Sequence, residues 1–240
     1  MSWHTITGSD APLRCWLERP PQPRSVVLVL PEVFGINGWM RSVAARLAAA
    51  GHAALVMPLF ARTAPELDVG YNEAGLAEGR RHRDAVTAVG FQQDVAAVLA
   101  WLQQQPELAL LPRAGLGFCF GGHLAWHLAS RPELQATASF YGARVSCFCP
   151  GGDQPTIALA AQIPGQLLVW LGAEDPLMPL QEQQAIAMAL AQADPTGTRL
   201  QCRTARGAGH GFLCDQRADF HPNAAQQGWD SLLHLLDGLS

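Results

Sequence analysis

The feature that most constrains this fold is the alternation of short apolar runs with segments of helical periodicity. The run at 25–30 is apolar at nearly every position, as is typical of a strand buried on both faces of a parallel sheet. Similar runs predict strands at 53–57, 113–118, 137–141, 166–171 and 198–203. Because strand and helix patterns alternate at least five times, we expect an α/β fold with one mainly parallel sheet and helices on both faces.

Other segments complete the predicted order of elements. Residues 3–7 and 13–17 alternate weakly around a turn and predict an opening hairpin. Residues 58–83 form a long polar connection with no predicted element, and connections of this length are often functional. The longest helical pattern follows at 84–105. No linker, repeat or low-complexity segment is visible, so residues 1–240 are predicted to form a single domain.

Composition narrows the possible functions. Hydrophobic residues make up 49% of the 240 residues and charged residues only 15%, which is enough apolar material for a large core. The formal net charge is −4 and no basic stripe is present, so we expect no nucleic-acid partner. All 16 cationic side chains are arginine, which excludes a lysine Schiff base and the lysine of a phosphate-binding loop.

The sequence also predicts where the protein is found. No apolar run approaches the roughly 18 residues that a membrane-spanning helix needs, and the first residues lack a signal-peptide pattern. We therefore expect a cytoplasmic protein with no membrane partner, whose six cysteines are reduced thiols. A monomer is the default expectation.

A cysteine occupies the position where α/β hydrolytic enzymes carry their nucleophile. Gly117, Cys119 and Gly121 form a G-x-C-x-G pattern at a predicted strand-to-helix turn. The turn is so sharp that a β-carbon at either glycine would collide with the neighbouring strand or helix. Cys119 would then lie at a helix N-terminus, where free N–H groups and the helix dipole favour a thiolate. The alternative is an ordinary tight turn with a buried thiol.

Two further residues occur in the order that this turn predicts. An acid is expected after a later strand and a histidine after the next one. Asp175 follows the strand at 166–171, and His210 follows the strand at 198–203. Taken singly, Asp175 is consistent with a turn aspartate and His210 with a surface histidine. Their shared order predicts a Cys119–His210–Asp175 catalytic triad.

These motifs resemble the dienelactone hydrolase family of the α/β-hydrolase fold over nearly the whole chain. The most specific segments are 31–37, the cysteine turn, 172–179 and 208–220. The resemblance implies hydrolysis of a carboxylic ester or lactone, with dienelactone (carboxymethylenebutenolide) converted to maleylacetate as the family reaction. It implies a small-molecule substrate and no cofactor.

The resemblance also assigns roles to residues around the triad. Glu32 would contact the thiol and activate it, although a solvated loop carboxylate is the alternative reading of the same residue. The backbone N–H of Phe120, which the turn itself supplies, and that of Val33, which the fold resemblance adds, would form the oxyanion hole. Phe34, Trp39 and Phe212 flank the predicted site loops and could line an apolar pocket.

Dienelactone carries a carboxylate, so its pocket should contain arginine. The resemblance implies one arginine before the helix at 84–105, which is Arg80, Arg81 or Arg83, with Arg81 preferred. It implies a second arginine shortly after His210. The position four residues after His210 is cysteine, so Arg217 becomes the candidate, which weakens the case for dienelactone itself.

Other readings of the same residues remain open. His123 and His127 have a spacing that can hold zinc, but no third ligand is placed nearby, so we predict no metal site. A broad carboxylesterase without dienelactone activity would keep the triad. A thiol sensor or binding module on a hydrolase scaffold would need only Cys119, so the presence of Asp175 and His210 argues against it.

Overall fold

The computed structural model describes residues 1–239 and contains one eight-stranded sheet in the order β1-β2-β4-β3-β5-β6-β7-β8. The strands are β1 (Ser2–Ile6), β2 (Leu13–Glu18), β3 (Val26–Leu30), β4 (Ala53–Val56), β5 (Arg113–Phe118), β6 (Ala136–Phe140), β7 (Gln166–Gly172) and β8 (Leu200–Ala205). Strand β2 pairs antiparallel with β1 on one side and with β4 on the other. All other neighbouring strands pair in parallel. The predicted α/β class with one mainly parallel sheet is confirmed.

Within residues 1–239, six α-helices and a short 3₁₀ helix connect and cover the strands. They are α1 (Gly38–Ala49), α2 (Glu73–Arg83), α3 (Ala88–Gln103), α4 (Phe120–Ala129), the 3₁₀ segment Thr156–Gln162, α5 (Leu180–Ala193) and α6 (Pro222–Asp237). Helices α3, α4 and α5 pack on one face of the sheet, and α1 and α6 pack on the other.

The central strand β3 shows why the sheet is covered on both sides. Its five residues are fully buried. Val26, Leu28 and Leu30 face α3 and α4, whereas Val27 and Val29 face α1 and α6. Burying one such side chain contributes roughly 1.5–3 kcal/mol, so neither face of β3 could be left in water without a large loss of stability.

The connection after β4 differs from the prediction. The segment 58–83, expected to lack an element, ends in α2, and the helix expected at 84–105 begins only at Ala88. Two side-chain caps explain these boundaries. Asn72 accepts a hydrogen bond from the backbone N–H of Gly75, and Thr87 accepts one from that of Gly90. Each cap satisfies an N–H group that has no partner inside its helix, so α2 begins directly after Asn72 and α3 directly after Thr87.

No single helix within residues 1–239 has both the length and the hydrophobicity needed to cross a bilayer. Helices α2 and α3 reach that length and composition only when taken together, across a bend of 92°.

Candidate active site

Cys119 lies at a sharp turn between β5 and α4. Its backbone φ is 55°, in the left-handed region that residues other than glycine rarely adopt. A β-carbon on Gly117 would lie 2.1 Å from the carbonyl oxygen of Gly121, and one on Gly121 would lie 2.3 Å from that of Leu30. Glycine is therefore required at both positions. The turn leaves Cys119 half-buried at the N-terminus of α4, within reach of a small molecule.

Backbone hydrogen bonds join this turn to the ends of two neighbouring strands. The N–H of Cys119 donates to the carbonyl oxygen of Phe140 at 3.0 Å, and the N–H of Gly121 donates to that of Pro31 at 3.1 Å. Phe120 immediately precedes Gly121, and Val33 lies two residues after Pro31. The two backbone N–H groups predicted to form the oxyanion hole therefore belong to segments that are hydrogen-bonded to each other.

Asp175 and His210 are brought together from the loops after β7 and β8. His210 Nδ1 lies 2.7 Å from Asp175 Oδ2, and both side chains are buried. The other carboxylate oxygen of Asp175 accepts a hydrogen bond of 2.8 Å from the backbone N–H of Leu177. Asp175 is therefore held at both oxygens, and it fixes the orientation of the imidazole ring.

The environment of His210 favours its charged form. Burial alone would lower the pKa of His210, but the charge of a Cys119 thiolate and the hydrogen bond that Nδ1–H donates to Asp175 raise that pKa to about 10. Nε2 is buried and makes no hydrogen bond within residues 1–239. The sulfur of Cys119 is nevertheless near enough to act on the ring electrostatically. The site can therefore hold a thiolate–imidazolium pair.

Glu32 was expected to contact the Cys119 thiol, but its hydrogen-bonded partner in the structure is Arg217. Arg217 Nη1 donates to Glu32 Oε1 at 2.9 Å, and both side chains are largely buried. The second oxygen, Oε2, makes no hydrogen bond within the described chain. The negative charges of Glu32 and of a Cys119 thiolate both raise the pKa of Arg217, against the effect of its burial. Arg217 therefore lies in the field of both groups.

Three more side chains surround this ion pair. The hydroxyl groups of Tyr71 and Tyr141 are buried and have no hydrogen-bond partner among residues 1–239. Burial and the charge of Glu32 raise the pKa of both tyrosines, and they raise that of the Cys214 thiol to about 12. All three groups therefore stay neutral near pH 7. The ring of Tyr141 also packs edge-on against His210, with 5.2 Å between ring centroids.

Tyr71 and Tyr141, the only two tyrosines in the chain, lie at the site although no motif in the sequence marks them. Tyr141 directly follows β6, and Tyr71 lies in the long connection that was predicted to be functional. Position at the carboxyl end of a strand was the signal that could have identified Tyr141. Its φ of 42° holds it in the left-handed region, as for Cys119.

The three aromatic residues that were expected to line a pocket lie in two different places. Phe34 borders the ion pair, with its ring 4.5 Å from that of Tyr71 and 5.9 Å from the Arg217 guanidinium. Trp39 packs edge-on against Phe118 in the core on the side of α1 and α6, and Phe212 is fully buried in the same cluster. The rings of Trp39 and Phe212 therefore fill the space between the sheet and the helices α1 and α6, where they pack beneath the site loops as part of the core.

Arg81 is not brought to the site. Its side chain is 68% exposed and forms an ion pair with Glu78, one turn earlier on α2. Helix α2 instead turns Gly79 inward, where an added β-carbon would lie 2.0 Å from the carbonyl oxygen of Val33. This close packing fixes the rotation of α2 and therefore the outward direction of Arg81. Arg80 is also exposed, and Arg83 is paired with Asp84.

His123 and His127 share a partner other than a metal. Their Nε2 atoms lie 2.8 and 3.1 Å from the hydroxyl oxygen of Thr156, and His123 Nδ1 lies 2.8 Å from the carbonyl oxygen of Ala143. Burial lowers the pKa of each histidine to about 4. The pair is therefore neutral near pH 7 and joins α4 to the segment that precedes β7.

A cavity of about 350 Å³ borders the site at Tyr71. Its walls are residues 68–71 together with Asn37, Gly38 and Gln216, and Asp68 is the only charged residue among them. A larger cavity, about 450 Å³, lies beside the β1–β2 hairpin and is lined by none of Cys119, Asp175 and His210. The triad side chains do not line the smaller cavity either, but Tyr71 connects it to the Glu32–Arg217 ion pair, with the Arg217 guanidinium 6.0 Å from the Tyr71 ring.

The eight-stranded sheet with a cysteine turn after β5 places this protein in the α/β-hydrolase fold. A solved structure of a provisionally named dienelactone hydrolase from Klebsiella pneumoniae superposes with a TM-score of 0.86, at 24% identity and over 99% of this chain and 98% of that one. The model of the dienelactone hydrolase family matches residues 13–240. The chain belongs to the dienelactone hydrolase family, and it is a hydrolase of ester or lactone bonds.

Relatives carry names that fit this family. A Synechocystis protein provisionally named a carboxymethylenebutenolidase is 35% identical over 212 residues, covering 88% of this chain and 84% of that protein. A Bradyrhizobium protein provisionally named a 2-oxo-3-(5-oxofuran-2-ylidene)propanoate lactonase is 27% identical over 243 residues, covering 98% and 93%.

Proposed function

We propose that this protein hydrolyses small carboxylic esters and lactones through a Cys119–His210–Asp175 triad and a thioester intermediate. The observation that carries the proposal is the hydrogen bond between Asp175 and His210, in a site where the charge of a Cys119 thiolate raises the pKa of the imidazole. The names of the relatives make dienelactone (carboxymethylenebutenolide) the reference lactone. The cavity beside Tyr71 is of a size that suits a small substrate.

The first half of the reaction is acyl transfer to sulfur. The Cys119 thiolate attacks the carbonyl carbon, and the negative charge moves to the carbonyl oxygen. The carbon–oxygen bond to the leaving group then breaks, His210 gives its Nε2 proton to the departing oxygen, and a thioester remains on Cys119. A lactone leaving group stays attached through the ring, so the acyl-enzyme carries the whole opened substrate.

The second half returns the enzyme to its starting state. Neutral His210 accepts a proton from water, and the resulting hydroxide attacks the thioester carbonyl. The carbon–sulfur bond breaks, the carboxylic acid leaves, and the thiolate–imidazolium pair is restored. Asp175 keeps Nδ1 protonated throughout, so that Nε2 remains the reacting nitrogen.

The oxyanion that forms in both halves needs fixed donors. The backbone N–H of Phe120 opens α4, where the helix dipole favours negative charge. The hydrogen bond between Gly121 and Pro31 keeps the Val33 segment beside it. Losing one such donor typically costs about 10²–10³-fold in rate, so this rigid junction matters to the proposed mechanism.

The test is trapping of the acyl-enzyme. Purified protein is mixed with p-nitrophenyl acetate, quenched in acid and analysed by intact-mass and peptide mass spectrometry. We expect one acetyl group on Cys119. Turnover of the aryl ester and of dienelactone should fall on the order of 10⁴-fold in Cys119→Ala and in His210→Ala. Cys147→Ala, which removes an exposed thiol, is the matched control and should keep full activity.

The same measurements distinguish the alternatives. Turnover that survives Cys119→Ala would eliminate the proposed nucleophile. Absence of turnover on any ester, together with reversible oxidation of Cys119, would favour the thiol sensor instead.

A second candidate is a carboxylesterase that does not use dienelactone. One observation favours it, namely that Arg217 already has a carboxylate partner in Glu32 while Arg81 faces solvent. Cleavage of aryl esters without cleavage of dienelactone would support this candidate.

A further inference from the structure

We propose that the cavity of about 450 Å³ beside the β1–β2 hairpin is a second binding site, which takes a small planar aromatic carboxylate. The inference does not depend on the proposed function, because Cys119, Asp175 and His210 do not line this cavity. Its volume falls in the range of about 300–1,000 Å³ that is usual for small-molecule sites. Three features of its wall support the proposal, namely two tryptophan rings, two arginines held in place and two exposed acids.

The hairpin supplies an aromatic corner to the cavity. Trp3 on β1 is paired in register with Trp16 on β2, so both side chains lie on the same face of the hairpin. Their rings meet edge to face, with 5.1 Å between centroids and 71° between planes. The apolar part of the wall is completed by Ile36, Leu59 and Phe60. Two indole rings at this angle suit a flat aromatic ligand, which can pack against them in the arrangements that aromatic pairs prefer.

The two arginines of the cavity, Arg14 and Arg41, are held by contacts other than their acidic partners. The guanidinium of Arg14 lies 4.5 Å from the centroid of the Trp3 ring. Nη1 of Arg41 donates a hydrogen bond of 2.6 Å to the carbonyl oxygen of Ile36. A guanidinium that is stacked on a ring or bound to the backbone keeps its position when its carboxylate partner changes. The cavity therefore presents two fixed positive groups beside its aromatic corner.

The acids that pair with these arginines are exposed. Glu66 lies 2.6 Å from Arg14 and its side chain is 69% exposed, whereas Asp68 lies 2.8 Å from Arg41 and is 47% exposed. Exposed ion pairs contribute little to stability, and a released carboxylate regains its hydration. A ligand carboxylate can therefore replace Glu66 at Arg14 at little cost, and it can accept two parallel hydrogen bonds from the guanidinium.

The same contacts argue against a cationic ligand. A cation would compete with Arg14 for the ring of Trp3, and it would compete with both arginines for the two acids. Because the arginines have a second contact and the acids face water, exchange of the negative partner is the easier of the two. The cavity is therefore suited to an anion.

The cavity borders both segments of the proposed oxyanion hole. Gly35 and Ile36 line it, and they follow Val33 by two and three residues. Phe60, which is also in its wall, stacks on Phe120 with 6.4 Å between ring centroids. A ligand in the cavity would therefore contact residues that support the two backbone donors, without occupying the position of the substrate at the triad.

The test measures binding of 2-naphthoate to the purified full chain by isothermal titration calorimetry. We expect one site with a Kd below about 1 mM. The uncharged 2-naphthamide has the same rings and should bind at least about 10-fold more weakly, because it cannot form the charge-assisted contact with Arg14. Absence of saturable binding of 2-naphthoate, or equal affinity for the two compounds, would overturn the inference.

Two variants with opposite expected effects locate the site. Arg14→Gln should weaken binding of 2-naphthoate at least about 10-fold, because the fixed cation is lost. Glu66→Gln should strengthen it at least about 3-fold, because the competing carboxylate is removed. Glu66 is exposed, so this second variant serves if Arg14→Gln does not fold. Binding that neither substitution alters would lie elsewhere, and weaker binding in Glu66→Gln would show that the cavity prefers cations.

The ion pair between Arg19 and Glu107 provides the matched controls. It is exposed to a similar degree and Arg19 directly follows β2, but neither residue lines the cavity. Arg19→Gln and Glu107→Gln should leave the Kd for 2-naphthoate unchanged. Equal effects of Arg14→Gln and Arg19→Gln would mean that only the overall charge of the protein matters, and the inference would fail.

Kinetics with p-nitrophenyl acetate separate this cavity from the active site. We expect KM for the ester to stay constant at saturating 2-naphthoate, because the two molecules occupy different places. A KM that rises in proportion to the concentration of 2-naphthoate would place this compound in the active site, and it would overturn the inference while leaving the proposed function intact. Binding with the expected variant effects in a protein that cleaves no ester would overturn the proposed function alone.

Discussion

Arg217 and Glu32 lie 185 residues apart in the chain, and Arg217 Nη1 donates to Glu32 Oε1 at 2.9 Å inside the protein. The contact joins the loop after β3 to the loop after β8. Buried ion pairs add little net stability when intact, because both charges lose their hydration, but removing one partner leaves the other buried and unpaired.

This relationship predicts strong coupling between the two side chains. Arg217→Met should lower the free energy of unfolding by about 3–5 kcal/mol, because Glu32 is left buried without a partner. The double variant Arg217→Met/Glu32→Gln should lose less than the sum of the two single variants. Urea denaturation of the four proteins gives the coupling free energy.

The matched control is the surface pair Arg24–Asp237, whose side chains are 57% and 56% exposed. Arg24→Met should change stability by less than about 1 kcal/mol. Strict additivity of the Arg217 and Glu32 single variants would contradict the predicted coupling.

Asp175→Asn should remove most activity with little change in fold. The asparagine amide cannot hold Nδ1–H as the carboxylate does, so His210 adopts the wrong tautomer, and loss of the negative charge lowers the pKa of the imidazole. We expect kcat to fall on the order of 10⁴-fold, measured with p-nitrophenyl acetate. Glu174→Gln, on the exposed neighbour, should retain activity, and a similar loss in both variants would argue against the role of Asp175.

Gly121→Ala should damage both stability and catalysis. The added β-carbon would lie 2.3 Å from the carbonyl oxygen of Leu30 and 2.5 Å from that of Pro31, so α4 must move away from β3. A loss of about 1–3 kcal/mol is expected from overpacking, with a further loss of kcat because the backbone N–H of Phe120 shifts.

Gly38→Ala is the comparison for this variant. Gly38 also begins a helix, but its added β-carbon would meet only the Arg41 side chain, at 4.0 Å. Its stability and kcat should match those of the wild type. Crystallography or circular dichroism of Gly121→Ala that detects an undisturbed, equally stable fold would refute the clash argument.

Stability should decrease at mildly acidic pH because of His123 and His127. Burial lowers the pKa of each to about 4 in the folded protein, against 6.5 as the ordinary value. Between pH 6.5 and pH 4 the unfolded chain therefore binds more protons than the folded one. The stabilising effect is complete above pH 6.5 and is lost as the pH falls, by up to about 1.4 kcal/mol per pH unit for each histidine.

Urea denaturation at several pH values checks this dependence. His127→Asn should flatten the slope between pH 6.5 and pH 4, whereas His234→Asn, on the exposed face of α6, should leave it unchanged. An unaltered slope in His127→Asn would show that other groups dominate acid unfolding.

Local patterns in the sequence determined the architecture. Consecutive apolar residues in β3 predict a strand covered on both faces, and Gly117 and Gly121 predict a turn too sharp for any β-carbon. Both patterns are visible within short stretches of sequence, so the sequence alone was sufficient to predict them, although the atoms that exclude a β-carbon at Gly121 belong to Leu30 and Pro31. It failed at α2, because the cap Asn72 is a single polar residue inside a long polar stretch.

Only the tertiary structure decided which charges meet. The direction of Arg81 depends on how closely α2 packs against Val33, and the partner of Glu32 comes from the other end of the chain. The convergence of Tyr71 and Tyr141 on the same ion pair was equally invisible. The physical reason is that periodicity and turn geometry are local properties, whereas the pairing of buried charges depends on where folding places segments distant in sequence.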